Sequence, residues 1–172
     1  MKLMKTMMMI VVVCAIGWVS TQVGGAQDNT AREARDRADI EALMWSYTRA
    51  LDTLNPEAYA AAYTPDGQFK AGTNATKGHE ALKKMIVDTN ARQSAAAEKG
   101  QPRQPMYHMT LNPKVTFVDK DHARIDAYYL TVFGAAGQNV PVRVAAAGRS
   151  VDELVRVNGK WLIQNRDVAP QN

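Results

Sequence analysis

The chain has 172 residues, with 21 Lys and Arg against 17 Asp and Glu, 46% hydrophobic residues and a single cysteine, Cys14. Such a length suits one domain with a real core and is too short for two of ordinary size. The formal charge of +4 rests on Lys and Arg scattered singly among acids, with no basic stripe and no aromatic interleaving, which excludes nucleic acid as an expected partner.

The N-terminus comes first. Lys2 and Lys5 precede MMMIVVVCAIGWV at 7–19, a run of 13 apolar or glycine residues, and Gly24 and Ala26 offer a small-residue cleavage point. Residues 1–26 therefore read as a secretory signal peptide, which puts the remaining domain, 27–172, in the periplasm or outside the cell. The apolar run falls short of the roughly 20 residues that span a bilayer, so no stable membrane insertion is expected after cleavage. Cys14 leaves with this segment, and with it any disulfide, thiolate nucleophile or cysteine metal ligand. Lys2 and Lys5 leave too, so the charge falls from +4 to +2.

Helical signals follow. Thr30 with Glu33 makes a capping box, and Ile40, Leu43, Met44, Tyr47, Leu51 and Leu54 recur at spacings of three and four, which predicts an amphipathic helix over 31–54. Asn55 caps a second, short helix that starts at Pro56 and runs through EAYAAAY. TPDG is expected to end it as a turn, with QFKA at 68–71 as a short strand. A third helix is predicted over 79–93, where Leu82, Met85, Ile86 and Thr89 share a face. SAAAEKGQPRQP then reads as a polar loop.

From Met106 the period changes to two. Val115 and Phe117 alternate with Thr116 and Val118, and Ala123, Ile125, Ala127, Tyr129 and Thr131 alternate with Arg124, Asp126, Tyr128 and Leu130. A long strand run spans 139–157, Asn158-Gly159 signals a tight hairpin, and KWLIQNRDV returns. Pro113 argues for a bulge or an edge position in its strand. There is no internal repeat, phosphate-cradling glycine loop or dinucleotide fingerprint. Three helices followed by four or five antiparallel strands make an α+β domain whose sheet buries one face under the helices. A strongly twisted sheet would leave a concavity at its open end, the natural seat for a ligand.

His108 is the leading candidate for chemistry. It shares a strand face with Met106 and Thr110, and both faces of that strand carry apolar residues, so periodicity does not choose the interior one. A neutral imidazole in a cavity can act as general acid or base near pH 7 when a carboxylate orients its other nitrogen; a histidine with one satisfied hydrogen bond and no catalytic duty is the plainer reading. Asp52 is the carboxylate to test. It lies about 120° from the axis of the buried stripe, at 100° per residue, and a negative charge at a helix C-terminus needs a reason. Tyr47, Tyr63 and Tyr128 are candidates to hold a carbonyl or enolate oxygen, with Asp126 beside Tyr128, against the alternative of ordinary core tyrosines. Asp152 and Glu153 point to opposite faces, one exposed and the other either in the pocket or paired, with Arg149 or Arg166 as the choices. Trp161 reads as a core plug. His79 opens a helix, His122 sits in a surface turn, and no ligand spacing supports a metal site.

The order of ADIEALMWSYTRALDTLNPEAYAAAYTPDGQF at 38–69, KGHEAL at 77–82, YHMTLNPKVTFVDKDHARIDAYYL at 107–130 and GRSVDELVRVNGKWLIQNRDV at 148–168 resembles the SnoaL-like family of the nuclear transport factor two-like superfamily. The resemblance covers nearly the whole of 27–172. It implies a cone-shaped α+β domain, with three helices packed on a strongly curved antiparallel or mixed sheet of four to six strands. Superfamily members include polyketide cyclases, a scytalone dehydratase, a ketosteroid isomerase, an epoxide hydrolase and non-catalytic proteins. In the dehydratase-like members an aspartate late in the first helix pairs with a histidine on the strand after the third helix, and those positions match Asp52 and His108. Leu51 stands where that pattern has a tyrosine, and NVPVRVAAAGRS holds no second pocket histidine.

The expectation is an exported protein that binds a hydrophobic or aromatic small molecule, with His108 as acid or base, Asp52 fixing its tautomer, and Tyr47, Tyr63 or Tyr128 on the oxygen. The chemistry would be elimination, isomerisation or aldol-type ring closure without cofactor or metal. The rival is a non-catalytic ligand-binding protein or a structural homodimer built through the sheet.

Overall fold

A computed structural model describes residues 29–136 and 139–170. The leader expected at 1–26, Cys14 included, lies outside the described residues. The chain divides into two compact units, residues 1–38 and residues 39–172. Within the first unit the described residues, from 29, are helical.

Helix α1 spans 29–52. Its end is sharper than the apolar stripe suggested: Asn55 N–H donates to the Ala50 carbonyl at 2.8 Å, and Leu54 turns left-handed at φ 51. A branched side chain disfavours that conformation. Leu54 is 8% exposed and belongs to the core, so its burial offsets the local cost. Helix α2, Pro56–Ala61, follows with the Asn55 side chain accepting from Ala58 N–H and proline at the first helical positions.

Strand β1, Tyr63–Ala71, begins where a turn was expected. Ile163 N–H donates to the Ala62 carbonyl at 2.9 Å, and parallel pairing with β6 captures Tyr63. The register then shifts between Tyr63 and Gln68, so TPDG forms an irregularity inside a strand. Gly67 sits there because an added Cβ would meet the Ile163 carbonyl and the Tyr63 Cβ at 2.9 Å. Strand β2, Asn74–Lys77, folds back on β1; its polar NATK sequence carried no strand signal.

Helix α3, His79–Glu98, runs beyond the expected end at 93. The alanines at 95–97 favour helix over loop, and Gly100, at φ 81, closes the end while its N–H donates to the Ala97 carbonyl. Strands β3, Met106–Phe117, β4, His122–Phe133, β5, Arg143–Val157, and β6, Lys160–Asp167, complete the chain. Asn158 and Gly159 both have positive φ, as a two-residue hairpin turn requires. The β3–β4 register shifts between Leu111 and Lys114, around Pro113, and β3 is an edge strand, so both readings of that proline hold.

The sheet order is β2-β1-β6-β5-β4-β3, with β1 and β6 parallel and the other pairs antiparallel. This corrects the cone expectation. The sheet is open and is not strongly curved, because β2 and β3 remain as unpaired edges. A four-residue polar β2 offers little to close against, and β3 carries a proline that donates no ladder bond. Long ladders such as β4–β5, from His122↔Val155 to Phe133↔Arg143, break only locally, between Thr131 and Val132.

One face of this sheet is covered by the helices. The core combines Ile40, Met44, Tyr47 and Ala50 of α1, Tyr59 of α2 and Leu82 and Ile86 of α3 with Ile125, Leu154, Trp161 and Ile163 of the sheet. Trp161 is buried, as expected of a plug, and packs on Phe117 with ring centroids 6.1 Å apart.

Candidate functional site

Asp52 and His108, 56 residues apart in sequence, meet on the covered side of the sheet. The interior face of β3 is the one with Met106, which packs against the core. His108 is on it, held between α1 and the sheet. As an edge residue, His108 has a backbone N–H that β4 does not use, and that N–H donates to Asp52 Oδ1 at 2.8 Å. The ring Nδ1 lies 2.9 Å from the same oxygen. An ionised carboxylate only accepts, so Nδ1 carries the proton and Nε2 is the basic nitrogen of the neutral ring. Among the described residues Nε2 has no hydrogen-bond partner.

Burial and charge set this pair's chemistry. The side chains are 22% and 7% exposed for His108 and Asp52. Burial pushes the His108 pKa below its ordinary value, the Asp52 carboxylate opposes that shift, and the Arg166 charge adds to it. The imidazole is therefore held neutral at physiological pH, in the state that accepts a proton. Arg49 Nη1 stands 3.8 Å from Asp52 Oδ2 and is half exposed, so it adds only a screened attraction.

Three tyrosines stack in the core. Tyr47 and Tyr59 have ring centroids 5.4 Å apart, as do Tyr59 and Tyr63, and the Tyr59 and Tyr63 hydroxyls are 3.2 Å apart. Burial raises the Tyr59 and Tyr63 pKa values well above the ordinary phenol value, so both hydroxyls stay protonated and able to donate. Tyr59 carried no separate signal in sequence, because EAYAAAY reads equally as an amphipathic helix.

Beside the tyrosines lies a buried ion pair, and here Asp152 chooses Arg166. Arg166 Nη1 donates to both Asp152 oxygens at 2.7 Å, and the guanidinium carbon sits 4.7 Å from the Tyr47 ring centroid. Asp152 is fully buried, and burial raises its pKa while Arg166 opposes that shift. Arg166 emerged from sequence only as one possible partner; alternation on β6 with buried Ile163 did not mark it, because the β5–β6 register shifts between Glu153 and Leu154.

Tyr128 does not join this group. It pairs with Leu111 and Arg149 on the opposite face of the sheet and is 56% exposed. Its neighbour Asp126 also faces outward and pairs with Arg124 at 2.9 Å. His79 Nε2 lies 3.0 Å from the Tyr63 carbonyl, and His122 pairs with Asp119 in a turn. Among the described residues no three metal-ligating side chains cluster, and no helix is long and apolar enough to cross a membrane. An open groove of about 500 Å³, lined by Asp39, Leu43, Ser46, Ala62, Lys160 and Trp161 among others, contains neither member of the Asp52–His108 pair.

Comparison with known proteins agrees with this fold. A model of the SnoaL-like domain matches residues 32–167. No functionally curated protein matches the chain. Among solved structures, a Mycobacterium tuberculosis protein of unknown function is 22% identical, with 83% of this chain and 76% of the other covered and a TM-score of 0.68. A nuclear transport factor two-like protein with a cystatin-like fold from Novosphingobium aromaticivorans is 21% identical, covering 80% and 82%, with a TM-score of 0.65. A provisionally named scytalone dehydratase from the same organism is 23% identical, covering 80% and 85%, with a TM-score of 0.62. These structural likenesses establish the architecture alone.

Proposed function

The chain belongs to the SnoaL-like family, and from the Asp52–His108 pairing we propose that it is an exported small-molecule-binding protein that catalyses proton transfer on a hydrophobic or aromatic substrate. The observation that carries this reading is a partly buried neutral imidazole whose Nδ1–H is fixed by a carboxylate at 2.9 Å and whose Nε2 is unengaged. In such a site Nε2 takes a proton from carbon next to a carbonyl. Asp52 stabilises the imidazolium that forms, the enolate oxygen is held by a phenol such as Tyr47 or Tyr63, and the proton is given back to a different carbon of the enolate in isomerisation, to the departing group in elimination, or to the alkoxide formed when the enolate carbon closes on a carbonyl. Elimination, isomerisation and aldol-type cyclisation all begin with that step.

A test needs no knowledge of the natural substrate. Exchange of the α-protons of 2-tetralone in D₂O, followed by NMR, should be accelerated by the full chain and slowed about 100-fold by His108→Gln. Equal exchange rates for the two proteins would rule the assignment out.

The outer sheet face supports a second reading, a homodimer. Tyr107, Met109, Leu111, Tyr128 and Val144 are 46%, 37%, 41%, 56% and 61% exposed, and the pairings Leu111↔Tyr128, Tyr107↔Val132 and Val132↔Val144 place them on one side. A contiguous apolar surface of this kind is a common partner site. Sedimentation should show a dimer that Tyr128→Lys dissociates; a monomer at micromolar concentration would remove this reading.

A further inference from the structure

Arg166 is used only in part by the fold. A guanidinium presents five N–H donors in a rigid plane and stays charged. Its usual carboxylate partner spans two nitrogens. Here both Asp152 oxygens sit on the single nitrogen Nη1. Nε is buried without a hydrogen-bond partner, and Nη2 makes no hydrogen bond among the described residues. The Tyr47 ring lies against the guanidinium and fixes its plane. The Nε–Nη2 edge is thus a pre-oriented fork with nothing on it. Ser150, on the same face of β5 as Asp152, also holds a buried Oγ with no partner. Each buried polar group left without a partner calls for an explanation, and these two lie on one interior face.

We propose that the Nε–Nη2 edge of Arg166 is the anchor for a carboxylate of the ligand, carried on an apolar, aromatic-sized body and distinct from the enolate oxygen that a phenol holds, with Ser150 Oγ as an additional donor. The inference deepens the proton-transfer reading of the same site and rests on it for the ligand's orientation: carboxylate on Arg166, reacting carbon toward His108 Nε2. Asp152 neutralises the resting guanidinium, so the site is kept without a ligand, and its position on Nη1 leaves the fork open. The two groups are tied to one helix: the guanidinium lies against Tyr47 of α1, and Asp52, later on the same helix, holds the His108 ring. The Tyr47 ring beside the guanidinium suits a ligand with a ring system. An acidic aromatic compound is favoured over a neutral one by this geometry.

The experiment is calorimetric titration of the full chain at pH 7.5 with 2-naphthoate and with its neutral isostere 2-naphthamide. Wild type should bind the acid at least about tenfold more tightly than the amide, since hydrogen bonds to a charged group discriminate by that much. Arg166→Lys keeps the charge beside Asp152 and removes the fork, so it should lose that preference while its thermal transition stays cooperative. The double variant Asp152→Asn/Arg166→Gln, which leaves no lone buried charge, should lose it too. Equal affinity for acid and amide, an undiminished preference in both variants, or no naphthoate binding up to millimolar concentration would overturn the anchor. His108→Gln separates the two readings. Acid preference retained in that variant supports the anchor whether or not tetralone exchange is catalysed, whereas catalysed exchange without acid preference removes the anchor and leaves the dyad standing.

Discussion

Asp52 Oδ1 accepts two hydrogen bonds from one residue, from the ring Nδ1–H of His108 at 2.9 Å and from its backbone N–H at 2.8 Å. A carboxylate on α1 thereby fixes both the strand position and the ring orientation of a residue on β3. Removing it unsettles the two together.

Asp52→Ala leaves two part-buried donors without an acceptor, and each such loss costs about 1–3 kcal/mol. Urea denaturation should show a fall in that range or above it. Asp52→Asn keeps one acceptor oxygen and should cost less. Without the carboxylate that opposes its downward shift, His108 should also titrate at lower pH in Asp52→Ala, read by NMR of the ring protons.

The His108 pKa is depressed in the folded protein by burial, so folding favours the neutral ring. The unfolded chain binds the extra proton first as pH falls. Stability from this group is therefore fully present above the ordinary histidine pKa of about 6.5 and is lost as pH drops through the lower folded value. Denaturation midpoints at pH 7.5 and pH 5 should differ less in His108→Gln than in wild type, and an unchanged difference would contradict the linkage.

The Asp152–Arg166 pair should respond asymmetrically. Arg166→Met strands a buried carboxylate and should cost about 3–5 kcal/mol, while the double variant Asp152→Leu/Arg166→Met should recover most of that loss. Thermal unfolding of the three proteins measures the recovery.

Gly67→Ala tests the irregularity in β1. Its new methyl would sit 2.9 Å from the Ile163 carbonyl and the Tyr63 Cβ, and backbone on that side cannot yield cheaply. A loss of about 1–3 kcal/mol is expected, measurable by urea titration against wild type.

Much of the architecture was legible because period and punctuation agreed. The α1 stripe, the Asn55-Pro56 start, the Asn158-Gly159 hairpin and the Pro113 bulge each rest on local stereochemistry, which sequence records directly. The misses have a different origin. Tyr63 enters a strand because Ile163, 100 positions away in the numbering, pairs beside it; α3 continues to Glu98 because three alanines outweigh the polar residues around them; and the sheet's openness depends on edges that no single segment describes. In the site, the Asp52–His108 pairing came from resemblance, since helix angle and strand alternation left both residues on undecided faces. Alternation offers Tyr128 to the interior as readily as to solvent, because it does not say which face of β4 the helices cover. The spare edge of Arg166 is a matter of side-chain geometry and leaves no trace in a string of letters.

The outermost strand of a sheet ordinarily offers its free amides to any passing chain, an invitation to polymerise. At His108 that invitation is already taken, by the very oxygen that orients the ring. One carboxylate thus serves as a guard on the border as well as a tool in the interior, and a variant lacking it would be vulnerable to self-association at β3 even where its fold survives.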